Sequence, residues 1–397
     1  MNETIITGLG QRGEGIAEID GQRIFVPQAL PGERVRLFVD GERGHLQEVL
    51  EPSPDRIAPF CPYFTDCGGC SLQHLEQGAY AAFKRELVVT ALSHAGISVE
   101  VQPTLLAHGK GRRRTTLHVR KDHAGYARAR SHDVLDIEAC PILVPALVST
   151  APRLAHLLYP IAGLGDALIT ATDTGLDLSV KSERKPKPEA IASFAQAHRL
   201  ARFAFNGETL FQARPPALKM GRALVELPVA GFLQATQAAE EVLAQLVLAA
   251  LGKARAVADL FCGVGPFALR IAETARVHGI DSDKQAVAAL GKAVRFTQGL
   301  KPVTTQSRDL FRDPLAPVEL VPFDAVVFDP PRAGAEAQAR ELAVSKIKTV
   351  VAVSCDPRTF ARDAAILVAG GYRLESVTPV DQFAWSPHVE LVGVFRR

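Results

Sequence analysis

Net charge is nearly absent from this chain: 45 Lys and Arg against 43 Asp and Glu leave +2 at pH 7. That balance excludes an overall field able to gather polyanions, so any such affinity must come from local patches. Long apolar runs are missing as well. The best candidate, "VLAQLVLAAL", is interrupted by Gln245 and is too short to cross a bilayer. No charged-then-apolar leader opens the sequence, so no membrane association and a cytoplasmic location are expected. Aromatic residues are scarce, at 6% with one Trp, and residues 1–55 hold only Phe25 and Phe38. Stacking on flat ligands is therefore weakly signalled there. Cysteine is limited to six residues. Without an export signal their spacing points to metal binding or catalysis before disulfides.

What is present divides into three stretches. Residues 1–55 carry short alternating runs ("GEGIAEID", "GQRIFVP", "ERVRLFVD") parted by Gly and Pro, the pattern of a small antiparallel β-barrel. Residues 56–230 read as an irregular α+β region with a cysteine cluster, a basic stretch and the Pro/Lys-rich loop "KSERKPKPEA". From 231 to 397 buried-strand runs ("ARAVADLF", "ARVHGID", "FDAVVFDPP", "KTVVAVSC") alternate with helical segments, and "ATQAAEEVLAQLVLAALG" has helical period up to Gly252. That alternation predicts a multidomain α/β protein whose last domain is a doubly wound, mostly parallel, Rossmann-like sheet.

In such sheets ligands bind beyond the carboxyl ends of the strands. "DLFCGVGPFALRIA" supplies a strand, a glycine turn with Gly263 and Gly265, and a helix. The next strand ends in Asp281, 22 residues beyond Asp259, where a carboxylate can accept both ribose hydroxyls. Later strand ends supply Asp309 and Asp329, so acids at four successive ends are expected to converge. No phosphate-cradling lysine follows the glycines, which argues against ATP.

"VSCDPRTFARD" sets Cys355 at the end of a strand and the start of a helix. A helix amino terminus favours the thiolate, so a depressed thiol pKa is expected there. In "SPHVELVGVF", His388 and Glu390 share one face of a strand, and a carboxylate in an apolar strand has the raised pKa that suits a proton acceptor. The strand-end pattern resembles class I S-adenosylmethionine-dependent methyltransferases, which implies a methyl donor, and a thiolate beside one fits attack on carbon 6 of a pyrimidine, which makes carbon 5 nucleophilic. A base must then remove the carbon 5 proton.

"DLFCGVGPF", "FDPPRAG", "VSCDPRTFARD" and "SPHVEL" together resemble the RNA uracil-C5 methyltransferases, which make 5-methyluridine. The amino-terminal segment resembles their TRAM domain, an OB-like barrel. The resemblance implies a class I methyltransferase domain and S-adenosyl-L-methionine as cofactor. It implies Cys355 as nucleophile and Glu390 as general base, with Gln234, Phe261, Asp281 and Asp329 contacting the methyl donor or target base. Thr236 and Pro266 stand where the family usually has Asn. A cytosine-C5 methyltransferase would place a cysteine beside the proline of the fourth strand, where this chain reads "FDPPR". A third reading is an RNA-binding module without catalysis, against which Cys355, Glu390 and Asp281 stand together.

Cys61, Cys67 and Cys70 follow C-x5-C-x2-C, with a distant Cys140-Pro141. This spacing fits a cubane [4Fe-4S] cluster better than zinc, whose sites usually pair two short knuckles. The cluster-bearing branch that acts on 23S ribosomal RNA has the same arrangement. Lys110 to Arg130 carries eight Lys and Arg, one acid (Asp122) and Tyr126, a pattern able to track a phosphate backbone. The expected partner is RNA, ribosomal before transfer, acted on by a monomer.

Overall fold

The computed structural model describes residues 1–397, and its carboxy-terminal half is organised by buried strands alternating with helices. Its strands are β1 (Ala256–Leu260), β2 (Arg276–Asp281), β3 (Val303–Ser307), β4 (Ala325–Phe328), β5 (Thr349–Ser354), β6 (Arg373–Asp381) and β7 (Glu390–Arg396). They lie in the order β3-β2-β1-β4-β5-β7-β6, with β1 to β5 parallel and β7 antiparallel to both neighbours. The runs are apolar throughout because both faces are covered. Along β4, Ala325 and Val327 enter one core while Val326 and Phe328 enter the other.

Helix ends follow local chemistry. Helix Gln237–Leu251 begins at Thr236, whose hydroxyl accepts from the Ala239 N–H and donates to the Ala107 carbonyl. Thr236 thus serves as an N-cap. Gly252, at φ +56°, ends the helix in a backbone region that favours glycine. Helix Pro357–Ala369 leaves β5 through Asp356, which accepts from the Arg358 and Thr359 N–H groups.

The central stretch is more regular than its text. A seven-stranded sheet forms there, with Arg114–Val119, Gly165–Thr172, Gly175–Ser182 and Leu200–Phe205 at its middle. In Arg114–Val119 only Thr115, Leu117 and Val119 are buried, so polar residues on the other face hide the strand signal. "KSERKPKPEA" runs from the end of strand Gly175–Ser182 into helix Pro188–Ala197, the crossover to the parallel strand Leu200–Phe205. The amino-terminal residues form a six-stranded sheet around seven buried residues, among them Ile6, Ile24, Val35 and Leu37.

Helix Gln77–His94 leaves its own stretch. Its Val88, Ala91 and Leu92 join the core beneath β4 and β5, and Leu105–Leu106 adds a short parallel strand beside β6. The same helix carries Lys84, wholly buried 2.8 Å from the wholly buried Asp381 at the end of β6. Tyr80 donates to Asp381 at 2.6 Å, and His108 Nε2 lies 2.7 Å from it. Burial alone would raise the Asp381 carboxyl, yet His108, Lys84 and Tyr80 hold it down at about 2. Burial pulls Lys84 down to about 8, which leaves it charged at neutral pH. Removing one partner of such a pair strands a charge out of water. Asp381→Ala is expected to lower unfolding free energy by about 3–5 kcal/mol, and Lys84→Met by less, as read by urea denaturation at pH 7.

Candidate active site

The order of the strands reverses between β1 and β4, which opens a crevice at their carboxyl ends. The glycine turn after β1 forms one wall. Gly263 (φ +53°) donates its N–H to Asp281 Oδ2 at 2.9 Å, and Asp283 N–H donates to Oδ1 at 2.8 Å. Asp281 thus ties the turn to the end of β2, and each oxygen keeps a lone pair for a ligand. A methyl group added at Gly263 would meet nothing within 4 Å, whereas one at Gly265 (φ +92°) would come within 2.5 Å of Leu290 Cδ1. Gly263 therefore faces open space, and Gly265 lets the turn close on helix Lys284–Phe296. Phe261, at φ +58°, sets its ring 5.4 Å from that of Phe311.

The four strand-end acids do not all converge. Asp259 is wholly buried inside β1, and burial together with the nearby Asp329 pushes its carboxyl well up. It is walled off from any ligand. Asp309 is half-exposed beyond β3 and accepts from the Phe311 N–H of its own turn. Asp281 and Asp329 remain as the acids that line the crevice.

Around Asp329 the polar groups are chained together. Gln234 Nε2 donates to Asp329 Oδ2 at 3.0 Å, and Gln382 Nε2 donates to Gln234 Oε1 at 2.6 Å and to Glu390 Oε1 at 2.9 Å. Glu390 is 3% exposed, and its Oε2 has no hydrogen-bond partner. Burial, reinforced by Asp329, pushes Glu390 up to about 8, and burial pushes Asp329 up to about 7. Taking both carboxylates from water disfavours two charges side by side, so the pair holds on to a proton near neutrality.

Ser354 on β5 pairs with Leu391 on β7. Continuing this register by one residue sets Cys355 opposite Glu390, and Cys355 is half-buried at the crevice. The expected depression of its pKa is overturned. Burial, with the charges of Glu390 and Asp329, pushes the thiol up to about 12. Desolvation and two like charges outweigh the helix start, whose first N–H groups are already taken by Asp356. Arg332 is the cation that acts in the opposite sense. His388 is exposed, 3.3 Å from Arg332, and away from the buried chain.

Residues that the sequence reading missed lie between these landmarks. Gln382 lies just past β6, and Phe232, 73% exposed, stands two residues before Gln234. An apolar ring beside a polar buried turn in "GFLQAT" was the available signal for Phe232. Nothing in "DQFAW" marks Gln382, because its role depends on a partner eight residues away.

Cys61, Cys67, Cys70 and Cys140 line one cavity of about 450 Å³, together with Gln73, Arg112 and Tyr126. Burial pushes Cys70 up to about 12 and raises Cys67 and Cys140. As free thiols the set is neutral; as thiolates it would need a cation. No set of three or more His, Cys, Asp or Glu side chains is arranged to hold a metal ion, however. The basic stretch is also divided. Arg113 is buried, paired with Glu240 and donating to the Gln234 carbonyl at 3.0 Å, so it shapes the crevice. Lys110, Lys121, Arg128 and Arg130 are exposed.

Residues 227–397 match the tRNA (Uracil-5-)-methyltransferase family. The chain is 48% identical over 402 residues to an uncharacterized RNA methyltransferase of Brucella suis biovar 1, spanning 99% of this chain and 97% of the relative. It is 35% identical over 428 residues to the 23S rRNA (uracil(1939)-C(5))-methyltransferase RlmD of Halomonas elongata, spanning 98% of this chain and 88% of that one. Its fold is similar to that of the Pyrococcus abyssi tRNA (uracil-54, C5)-methyltransferase solved in complex with S-adenosyl-L-homocysteine. That structure gives a TM-score of 0.79 over 99% of both chains at 23% identity.

The two glycines of the turn separate packing from access. Gly265→Ala is expected to cost about 1–3 kcal/mol of stability through overpacking against Leu290 and a strained φ. Gly263→Ala is expected to cost only about 1 kcal/mol, the left-handed penalty alone. Denaturant unfolding of both variants measures the difference.

Proposed function

Since the chain belongs to the tRNA (uracil-5-)-methyltransferase family, we propose that it transfers a methyl group from S-adenosylmethionine to carbon 5 of a uracil in RNA. The observation that carries this reading is the register of β5 and β7, which sets the thiol of Cys355 opposite the desolvated carboxyl of Glu390. Cys355 Sγ, having given its proton to solvent, forms a bond to uracil carbon 6, and the displaced electron pair makes carbon 5 nucleophilic. S-adenosylmethionine supplies the electrophilic methyl. Glu390 then takes the carbon 5 proton, and the returning electrons expel Cys355 Sγ to restore the double bond. A carboxyl raised to about 8 suits that last role, because a general base works best with a pKa near the working pH.

The open face at Gly263 and the carboxylate of Asp281 would hold the methyl donor, with Gln234, Phe261 and Asp329 beside it. Phe232, exposed next to Gln234, offers a ring on which a base taken out of its stack can lie. Lys110 and Lys121 offer charge to phosphates, flanked by Arg128 and Arg130, which pair with Asp66 and Glu14. Ribosomal RNA is the favoured substrate, because the 23S rRNA enzyme of Halomonas elongata is matched over nearly the whole chain.

Cys61, Cys67, Cys70 and Cys140 would hold a [4Fe-4S] cluster. Four thiols line that one cavity, although they are not arranged as a ligand set. Bound there, the cluster would supply structure: its thiolates would tie the loop at 61–70 to Cys140 and so steady the basic strand between them.

Cys355→Ala is expected to abolish turnover and the covalent RNA adduct, while equilibrium dialysis shows methyl-donor binding retained. Glu390→Gln is expected to methylate but trap the adduct as a shifted band on denaturing gels; normal turnover would reject Glu390 as base. A base acts only when deprotonated, so resolution of the wild-type adduct is expected to accelerate as pH rises through about 7 to 8. Anaerobic purification is expected to yield a brown protein with about four irons per chain, lost in Cys70→Ser. A colourless protein holding one zinc would overturn the cluster.

A further inference from the structure

We propose that Gln382 is a positioning residue that orients Glu390 so that its Oε2 is the atom receiving the carbon 5 proton. This rests on the reading of Glu390 as the base.

The Ala235 N–H can only donate. It points at Gln382 Oε1 at 2.7 Å, and this fixes which end of the amide is oxygen. Gln382 Nε2 must then face outward with its two hydrogens. Both find acceptors: Gln234 Oε1 at 2.6 Å and Glu390 Oε1 at 2.9 Å. The first of these fixes Gln234 in turn, so that its own Nε2 donates to Asp329 Oδ2 at 3.0 Å. Two amides are thereby locked into one direction by a single backbone N–H. Gln382 is 1% exposed, so no water competes for these bonds.

Directionality has a chemical result. Glu390 Oε1 sits against a donor hydrogen and cannot carry a proton in that direction. Its other oxygen, Oε2, is buried without any partner. An unpaired buried carboxylate oxygen is costly unless a reacting group meets it. Val380 on β6 pairs with Glu390, and Gln382 lies two residues beyond Val380 on the same face, which explains the reach of the amide. Asp381, anchored by Lys84 and Tyr80, holds the backbone immediately before Gln382. The charged groups acting on Glu390 are Asp329, Arg332 and Lys84, and Gln382 supplies the hydrogen bond that opposes the upward push of burial.

Two substitutions separate this role from simple support. Gln382→Met keeps the length but removes both donors and the acceptor. Gln382→Glu keeps an acceptor for the Ala235 N–H and removes the amide donors. The assay uses in-vitro-transcribed ribosomal and transfer RNA with methyl-labelled S-adenosylmethionine, following adduct formation and adduct resolution separately in single turnovers. Both variants are expected to form the adduct, Gln382→Glu more slowly than Gln382→Met because its added charge opposes the thiolate. Both are expected to resolve it roughly tenfold more slowly at pH 7, the size of one hydrogen bond to a charged group. The pH midpoint of resolution is expected to move upward by about one unit, and further in Gln382→Glu than in Gln382→Met. Wild-type resolution with an unmoved midpoint in both variants would overturn the proposal. So would a normal Gln382→Glu beside an impaired Gln382→Met, which would reduce Gln382 to an anchor for Ala235. Absence of 5-methyluridine from the wild-type reaction would instead overturn the functional reading beneath it.

Discussion

Two carboxyl groups withdrawn from water and joined by a pair of amides set the terms for everything at the crevice. Asp329 and Glu390 arrive from β4 and β7, strands that are not neighbours, and Gln234 and Gln382 close the gap between them. Desolvation raises both acids, and each makes the ionisation of the other harder. The thiol of Cys355 feels the same field and is raised with them. The result is a site whose carboxyl pair keeps hold of a proton near neutrality. A carboxyl that exchanges its proton near neutrality and a thiol held protonated are two consequences of one buried arrangement.

Holding that arrangement is the work of elements far away in the chain. Helix Gln77–His94 packs under the last strands and sends Lys84 to Asp381, next to Gln382. Arg113, from the basic stretch, grips the carbonyl of Gln234 and pairs with Glu240 on the helix that follows. Both sides of the amide chain are thus braced by residues more than a hundred positions upstream. A small apolar cluster of Leu30, Leu72, Leu75 and Tyr80, with Trp385 against it, joins the amino-terminal sheet, the cysteine loop and the loop before β7. The amino-terminal sheet, the cysteine loop and the segment before Glu390 therefore share one packed junction.

The cysteine cavity and the basic strand are the parts in which sequence and structure speak differently. The spacing of Cys61, Cys67, Cys70 and Cys140 anticipated that they would share a site, and they do line one cavity. Their side chains are not drawn together as a ligand set, and the cohesion a metal would supply is not provided by any protein cation there beyond the neighbouring arginines. Eight basic residues between Lys110 and Arg130 looked alike in the text. Folding sorts them, because Arg113 is buried just before strand Arg114–Val119 while Lys121, Arg128 and Arg130 are exposed.

Period and punctuation alone determined the alternation of strands and helices from Ala256 onward, the glycine turn, and the candidates Cys355, Glu390, Asp281 and Asp329. Each of these depends on near neighbours in the chain: a turn rule, or an apolar run long enough to be buried on both faces. Tertiary structure decided which acids face the ligand, raised the thiol that a helix start alone would have lowered, and recruited Gln382, Lys84 and Arg113. Those outcomes depend on burial and on partners brought from distant strands. Desolvation belongs to the assembled interior, and no local window of residues contains it.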